Sequence, residues 1–166
     1  SWASPVVIQI SPENFQLITL AEPYAISYDP ASGTELWRAE CLGADVAVSP
    51  IYAGGLVIVS SPYDTVCAIK PDGRGNVTET HIVWKSYEGL PDICSPLSDG
   101  KNLWLMQTYG LLTCLNLSDG QVIYQKQFDT QFNASPGLVG DMIYLFSLDG
   151  QGIIGRSENG KFVEIA

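Results

Sequence analysis

Val48-Ser49-Pro50, with the apolar run Leu56-Val57-Ile58-Val59 behind it, is one copy of a unit that the chain repeats. Ser-Pro recurs at Ser4-Pro5, Ser49-Pro50, Ser95-Pro96 and Ser135-Pro136, each time after a short apolar residue: Ala3, Val48, Cys94 or Ala134. The serines are 45, 46 and 40 residues apart, the length of a four-stranded propeller blade. Behind each pair comes an apolar run: Phe15–Leu20, Leu56–Val59, Leu103–Met106 or Met142–Phe146. A third segment follows in Tyr24–Tyr28, Val66–Ile69, Leu111–Leu115 and Gly152–Gly155. A turn glycine (Gly33, Gly73, Gly120, Gly160) then leads to a last strand.

The apolar runs are nearly continuous, so both of their faces are expected to be buried between neighbouring blades. Asp72-Gly73, Asp99-Gly100, Asp119-Gly120, Asp149-Gly150 and Asn159-Gly160 supply the positive φ angles of tight turns. Only Pro12–Gln16 and Glu79–Trp84 could hold a helical turn, and the second is rich in β-branched residues. The sequence therefore predicts an all-β fold: one β-propeller segment over 1–166, with four four-stranded antiparallel blades near 1–44, 45–90, 91–130 and 131–166.

Composition narrows the function. With 46% apolar and 16% charged residues and a mean hydropathy of +0.12, the chain is globular rather than disordered. Eight Lys and Arg against eighteen Asp and Glu give a net charge of −10. That field repels phosphate backbones and anionic head groups, so nucleic acid is not an expected partner. No apolar stretch approaches the roughly 20 residues of a membrane-spanning helix. The chain begins with Ser1 rather than Met, and the segment is expected to have a native start, with any targeting signal, further upstream.

Residues that could carry chemistry are few. Cys41, Cys67, Cys94 and Cys114 form no CxxC pair and are expected to be small buried side chains, with a long-range disulfide left open. His81 is the single histidine, with Glu79 nearby, and nothing marks a nucleophile and an orienting group around it. Asp72, Asn76 and Glu79 depart from the oxygen spacing of a Ca²⁺ loop. Asn76, Asn116 and Asn133 begin formal glycosylation sequons, which would mean nothing if the protein were bacterial.

The first turn reads Ser27-Tyr28-Asp29-Pro30-Ala31-Ser32-Gly33-Thr34-Glu35-Leu36-Trp37, and it resembles the tryptophan-docking motif A-x-D-x-x-T-G-x-x-x-W of PQQ-like propellers. The third reads Cys114-Leu115-Asn116-Leu117-Ser118-Asp119-Gly120 and ends on Tyr124 where the motif has Trp. In the second, Ala68 and Lys70 fit the opening, and a lengthened turn precedes Trp84. The fourth keeps Gly160, with Arg156 and Glu164 at the Asp and Trp places. The stretch Pro71-Asp72-Gly73-Arg74-Gly75-Asn76-Val77-Thr78-Glu79-Thr80-His81-Ile82-Val83-Trp84 is similar to an insertion of exported, BamB-like bacterial PQQ-repeat proteins.

This resemblance implies Trp37 and Trp84 docked against neighbouring blades, while Trp104 belongs to a buried strand. It implies a ring of seven or eight blades, of which four form an open arc. The open apolar blade faces are expected to be covered by self-association, as in a homodimer. It also implies a periplasmic or otherwise exported protein that binds protein or peptide partners, with β-augmentation as a plausible mode. The loops Gly73–Val83, Ser60–Asp64 and Ser86–Pro91, and the turn residues Tyr63, Tyr87 and Tyr109, are the expected contact points. Quinone enzymes of related architecture carry adjacent cysteines and convergent cations. Here no cysteines are adjacent, and Arg38, Arg74 and Arg156 occupy non-equivalent places. No catalytic, cofactor-binding or metal residue, and no cofactor, is expected within the segment. The alternative is a segment of a quinoprotein oxidoreductase whose active centre lies in other blades.

Overall fold

Pro5, Pro50, Pro96 and Pro136 each stand immediately before a first strand, a place where the missing proline N–H breaks no ladder bond. The computed structural model describes all residues, Ser1–Ala166. The first blade is β1 (Val6–Ser11), β2 (Asn14–Ala21), β3 (Tyr24–Tyr28) and β4 (Glu35–Glu40). The second is β5 (Ile51–Ala53), β6 (Leu56–Ser61), β7 (Thr65–Ile69) and, after β8 (Gly75–Asn76) and the one-turn helix α1 (Thr78–His81), β9 (Ile82–Ser86). The third is β10 (Leu97–Ser98), β11 (Asn102–Met106), β12 (Leu111–Asn116) and β13 (Val122–Gln127). The fourth is β14 (Gly137–Val139), β15 (Met142–Phe146), β16 (Gly152–Glu158) and β17 (Lys161–Glu164). Each blade is an antiparallel meander.

Strand parity explains the core. In β6, Val57 and Val59 face the first blade, while Ile58 faces the third; in β7, Cys67 and Ile69 face the first blade, and Val66 and Ala68 the third. In β11, Leu103 and Leu105 face the second blade, and Trp104 and Met106 the fourth. The middle blades therefore bury both faces, as their unbroken apolar runs predict. The end blades differ. In β2, Gln16, Ile18 and Leu20 are buried and Phe15 is exposed; in β15, Ile143 and Leu145 are buried and Phe146 is exposed. The same kind of run is buried on one face only, because an end blade has a single neighbour. Three apolar clusters join consecutive blades, none joins the fourth to the first, and the ring is unclosed.

The predicted docking residues lie between blades. Trp37 is fully buried, and its indole N–H donates to Gln16 Oε1 at 3.0 Å. The Ser27 hydroxyl donates to the same oxygen at 2.8 Å, and the Gln16 amide donates to the Pro71 carbonyl of the second blade at 2.9 Å. Trp84 donates to the Leu117 carbonyl of the third blade at 3.0 Å. It also covers Gly120, where a Cβ would sit 2.4 Å from its ring, so a side chain there would displace the indole. The strand register shifts beside Trp37, Trp84 and Tyr124 alike, and such a bulge twists the outer strand. The motif's polar residue does what the turn needs: Asp29 Oδ1 accepts from Ala31 N at 2.8 Å, and Asn116 Oδ1 from Ser118 N at 2.9 Å.

The lengthened turn of the second blade is more ordered than a free recognition loop. Its β8 pairs in parallel with β4, giving the first blade a fifth strand. Val77 is buried beside Trp37, and its N–H donates to the Arg38 carbonyl at 2.8 Å. The Glu40 N–H donates to Thr78 Oγ1 at 2.9 Å. The helical turn falls at the start of the range expected for it, whereas Pro12–Gln16 forms a turn and then enters β2. No helix is long and apolar enough to cross a membrane.

Candidate functional site

In each blade the turn between the second and third strands lies at the same end as the link to the next blade. Antiparallel pairing requires this, and it brings three separate pieces of chain together between the second and third blades. The β6–β7 turn supplies Pro62 and Tyr63, the β9–β10 link supplies Tyr87, Gly89, Leu90 and Asp92, and the β11–β12 turn supplies Gln107 and Tyr109. These residues line a cleft of about 190 Å³. The three tyrosines stay largely in solvent, at 90%, 67% and 73% exposure for Tyr63, Tyr87 and Tyr109.

Two hydrogen bonds and a close glycine contact brace the frame beneath the cleft. Gln107 donates its side-chain amide to the Leu90 carbonyl at 3.1 Å, and Asp92 Oδ1 accepts from the Thr108 N–H at 3.0 Å. Gly89 has φ +63° and lies against Thr113, so close that a Cβ would meet Thr113 Oγ1 at 2.2 Å. Tyr63 holds φ +62°, a left-handed conformation unfavourable for a bulky side chain. Such an outlier belongs where the surrounding structure imposes it, and here it goes with the most exposed of the three tyrosines. Ser60 Oγ and Thr108 Oγ1 are the two buried side-chain polar atoms without a hydrogen-bond partner, and both belong to the chain segments that flank this cleft.

The other candidate residues do not assemble a reactive centre. His81 Nδ1 is 2.7 Å from Thr80 Oγ1, and His81 Nε2 is 3.6 Å from Asp72 Oδ1. This trio lies on the clasp that the lengthened turn forms on the first blade, where Thr80 also reaches the Val77 carbonyl at 3.4 Å, and it does not line the cleft. Asn76 Oδ1 accepts from Thr78 N at 3.0 Å and from its hydroxyl at 2.7 Å, so it holds the turn. No group of three His, Cys, Asp or Glu residues is placed to hold a metal. Arg38 pairs with Glu35 and lies over the Tyr24 ring at 5.2 Å, Arg74 donates to the Gly73 carbonyl at 2.8 Å, and Arg156 reaches Glu158 at 4.0 Å. The three guanidiniums do not converge.

All four cysteines are buried and unpaired. Cys41 and Cys67 are neighbours across the first interface, with the Cys67 sulfur 3.8 Å from the Cys41 carbonyl oxygen. The contact with Cys67 and burial push the Cys41 thiol up. Burial pushes Cys94 up to about 11 and Cys114 up to about 12, with nearby Asp92 and Asp99 adding to it. At neutral pH Cys41, Cys94 and Cys114 are protonated thiols and poor nucleophiles, whereas the contact with Cys41 lowers Cys67.

The tyrosines were legible one by one as turn residues, whereas their convergence with Asp92 and Gln107 follows only from blade topology. Comparison with known proteins bears on the fold. The family described as outer membrane protein assembly factor BamB matches over residues 21–80 and 76–162. No curated protein matches the sequence significantly. The structure is similar to BamB from Moraxella catarrhalis, with a TM-score of 0.65 and 18% identity, over 89% of this chain and 44% of that one. It is also similar to the quinohemoprotein alcohol dehydrogenase ADHIIG from Pseudomonas putida HK5, with a TM-score of 0.59 and 14% identity, over 76% of this chain and 21% of that one. The chain thus spans less than half the length of either structure, and at these identities the likeness establishes fold alone. The four-blade register, the docked tryptophans and the two matched stretches lead to one conclusion: the chain belongs to the BamB family of PQQ-like-repeat β-propellers.

Proposed function

We propose that this segment, 1–166, is a non-catalytic propeller scaffold that binds protein or peptide partners in the bacterial cell envelope. The observation that carries this reading is the convergence of Tyr63, Tyr87 and Tyr109 from three turns on one cleft. Tyrosine supplies contact area at low entropic cost, and it is enriched where proteins recognise other proteins. At about 190 Å³ the cleft is below the roughly 300–1,000 Å³ of small-molecule sites, which favours side chains over a cofactor. Membership of the BamB family supports the envelope location.

The exposed apolar residues of the end blades, Val7 and Phe15 on the first and Val139, Phe146 and Val163 on the last, add a second contact surface. We propose that a second copy covers them, and light scattering at several concentrations tests this. A species of about 18.0 kDa at every concentration contradicts it.

The likeness to a quinohemoprotein alcohol dehydrogenase favours one other reading, a segment of a quinone-dependent oxidoreductase. Calorimetric titration with pyrroloquinoline quinone and Ca²⁺ separates the two. The scaffold reading predicts no saturable heat, and binding at one site with about micromolar affinity contradicts it.

A further inference from the structure

The cleft's lining carries a single charge, Asp92, and no lysine or arginine. One Asp92 oxygen accepts from the Thr108 N–H at 3.0 Å, and the other makes no hydrogen bond within the protein. Glu88, exposed, follows Tyr87 directly and adds negative charge near the cleft, whereas Asp64 lies against Gly43 of the link between the first and second blades. Lys85, the basic residue closest in sequence, pairs with Cys67 on the side of the second blade that faces the first, away from the cleft. Around this stands a chain of net charge −10. Aromatic faces are electron-rich and attract ammonium and guanidinium groups, the more so beside a carboxylate with one free oxygen. The net charge draws cations toward the chain as a whole.

We propose that the cleft holds a lysine or arginine side chain presented by an extended segment of a protein partner, the alkyl stem lying along the tyrosine rings and the cation beside Asp92. This inference rests on the protein-binding reading above and specifies its ligand. The cleft's size suits one long side chain. A basic segment also answers the overall charge, which an acidic or neutral segment does not.

The test is an NMR titration of the whole chain with blocked pentapeptides, Gly-Ser-X-Ser-Gly, in which X is Lys, Arg, Gln or Glu. The Lys and Arg peptides are expected to shift the amides of Tyr63, Tyr87, Gly89 and Tyr109, with the Gln and Glu peptides at least about tenfold weaker. Tyr109→Phe keeps the aromatic face and should hold affinity within about threefold, whereas Tyr109→Ala should lower it about tenfold. Asp92→Asn keeps an acceptor for the Thr108 N–H, and it should weaken Lys binding and flatten its salt dependence. Equal binding of Lys and Gln peptides, binding of neither, or Lys binding unmoved by both Tyr109→Ala and Asp92→Asn overturns the proposal. If protein crosslinks form at Tyr109 while the Lys preference is missing, only this inference falls. If no crosslinks form there, the protein-binding reading falls with it.

Discussion

The main-chain N–H of Ser49 donates to the hydroxyl of Ser95 at 3.1 Å, from one blade to the next. The same bond runs from Ser4 to Ser49 at 3.1 Å and from Ser95 to Ser135 at 2.8 Å. The repeated serine is thus a link in a ladder that crosses all three interfaces, with one rung per blade boundary. The proline after it starts the first strand without needing a ladder partner for its own nitrogen. This gives the Ser-Pro register a physical cause: Ser49 and Ser95 both donate and accept, Ser4 donates at one end and Ser135 accepts at the other, and the spacing of the repeat delivers one serine to every blade.

The ladder makes a graded prediction. Ser49→Ala, Ser95→Ala and Ser135→Ala each strip the acceptor from a neighbouring N–H and should destabilise by about 1 kcal/mol. The Ser4 hydroxyl accepts no rung in this chain, so Ser4→Ala should stay within about 0.5 kcal/mol of the parent. Urea unfolding of the four variants reads this directly. Equal loss in all four contradicts the ladder.

Docking predicts larger effects. Trp37→Ala and Trp84→Ala should each destabilise by about 3–5 kcal/mol, because each empties a packed interface. Gly120→Ala should also destabilise, since Gly120 has φ +72° and its methyl would collide with the Trp84 ring. Unchanged melting temperatures in both tryptophan variants would show the docking assignment to be wrong.

The clasp can be tested apart from the blades it joins. Val77→Ala should destabilise by about 2 kcal/mol, from two lost methyl groups and the space they leave. Hydrogen exchange should show the Val77 amide protected to nearly the level of the β4 amides. Exchange of Val77 at the rate of an open loop contradicts the fifth strand.

Buried thiols predict alkaline instability. The ordinary thiol value is 9.0, and folding raises Cys94 to about 11 and Cys114 to about 12. A folded value above the unfolded one gives stabilisation that is complete below pH 9 and disappears as pH rises through the folded values. Unfolding free energy should therefore fall from about pH 9 upward, and less steeply in a Cys94→Ala, Cys114→Ala double variant. Identical pH slopes contradict the assignment.

The blades were legible because a repeat multiplies a weak local signal: one Ser-Pro pair means little, and four in register place sixteen strands. Three things were not. Phe15 and Phe146 belong to runs of the same type as Leu56–Val59, so nothing local says that they lie on end blades with one open face. The strand at Gly75–Asn76 is two residues long and depends on Trp37 and Arg38 in another blade for its pairing. The left-handed backbone at Tyr63 has no glycine or asparagine to announce it. The cleft combines such features, so its tyrosines could be named from sequence and their meeting point could not.

The tyrosine end of the second and third blades is the surface we propose that partners touch. Site-specific photo-crosslinking tests it, with benzoylphenylalanine introduced at Tyr63 or Tyr109, and at Ser118 as a control, in cells that make the protein natively. Ser118 is exposed in the β12–β13 turn, at the opposite end of the strands. Discrete protein adducts are expected from Tyr63 and Tyr109 and none from Ser118. Adducts from Ser118 alone, or from none of the three positions, would contradict it.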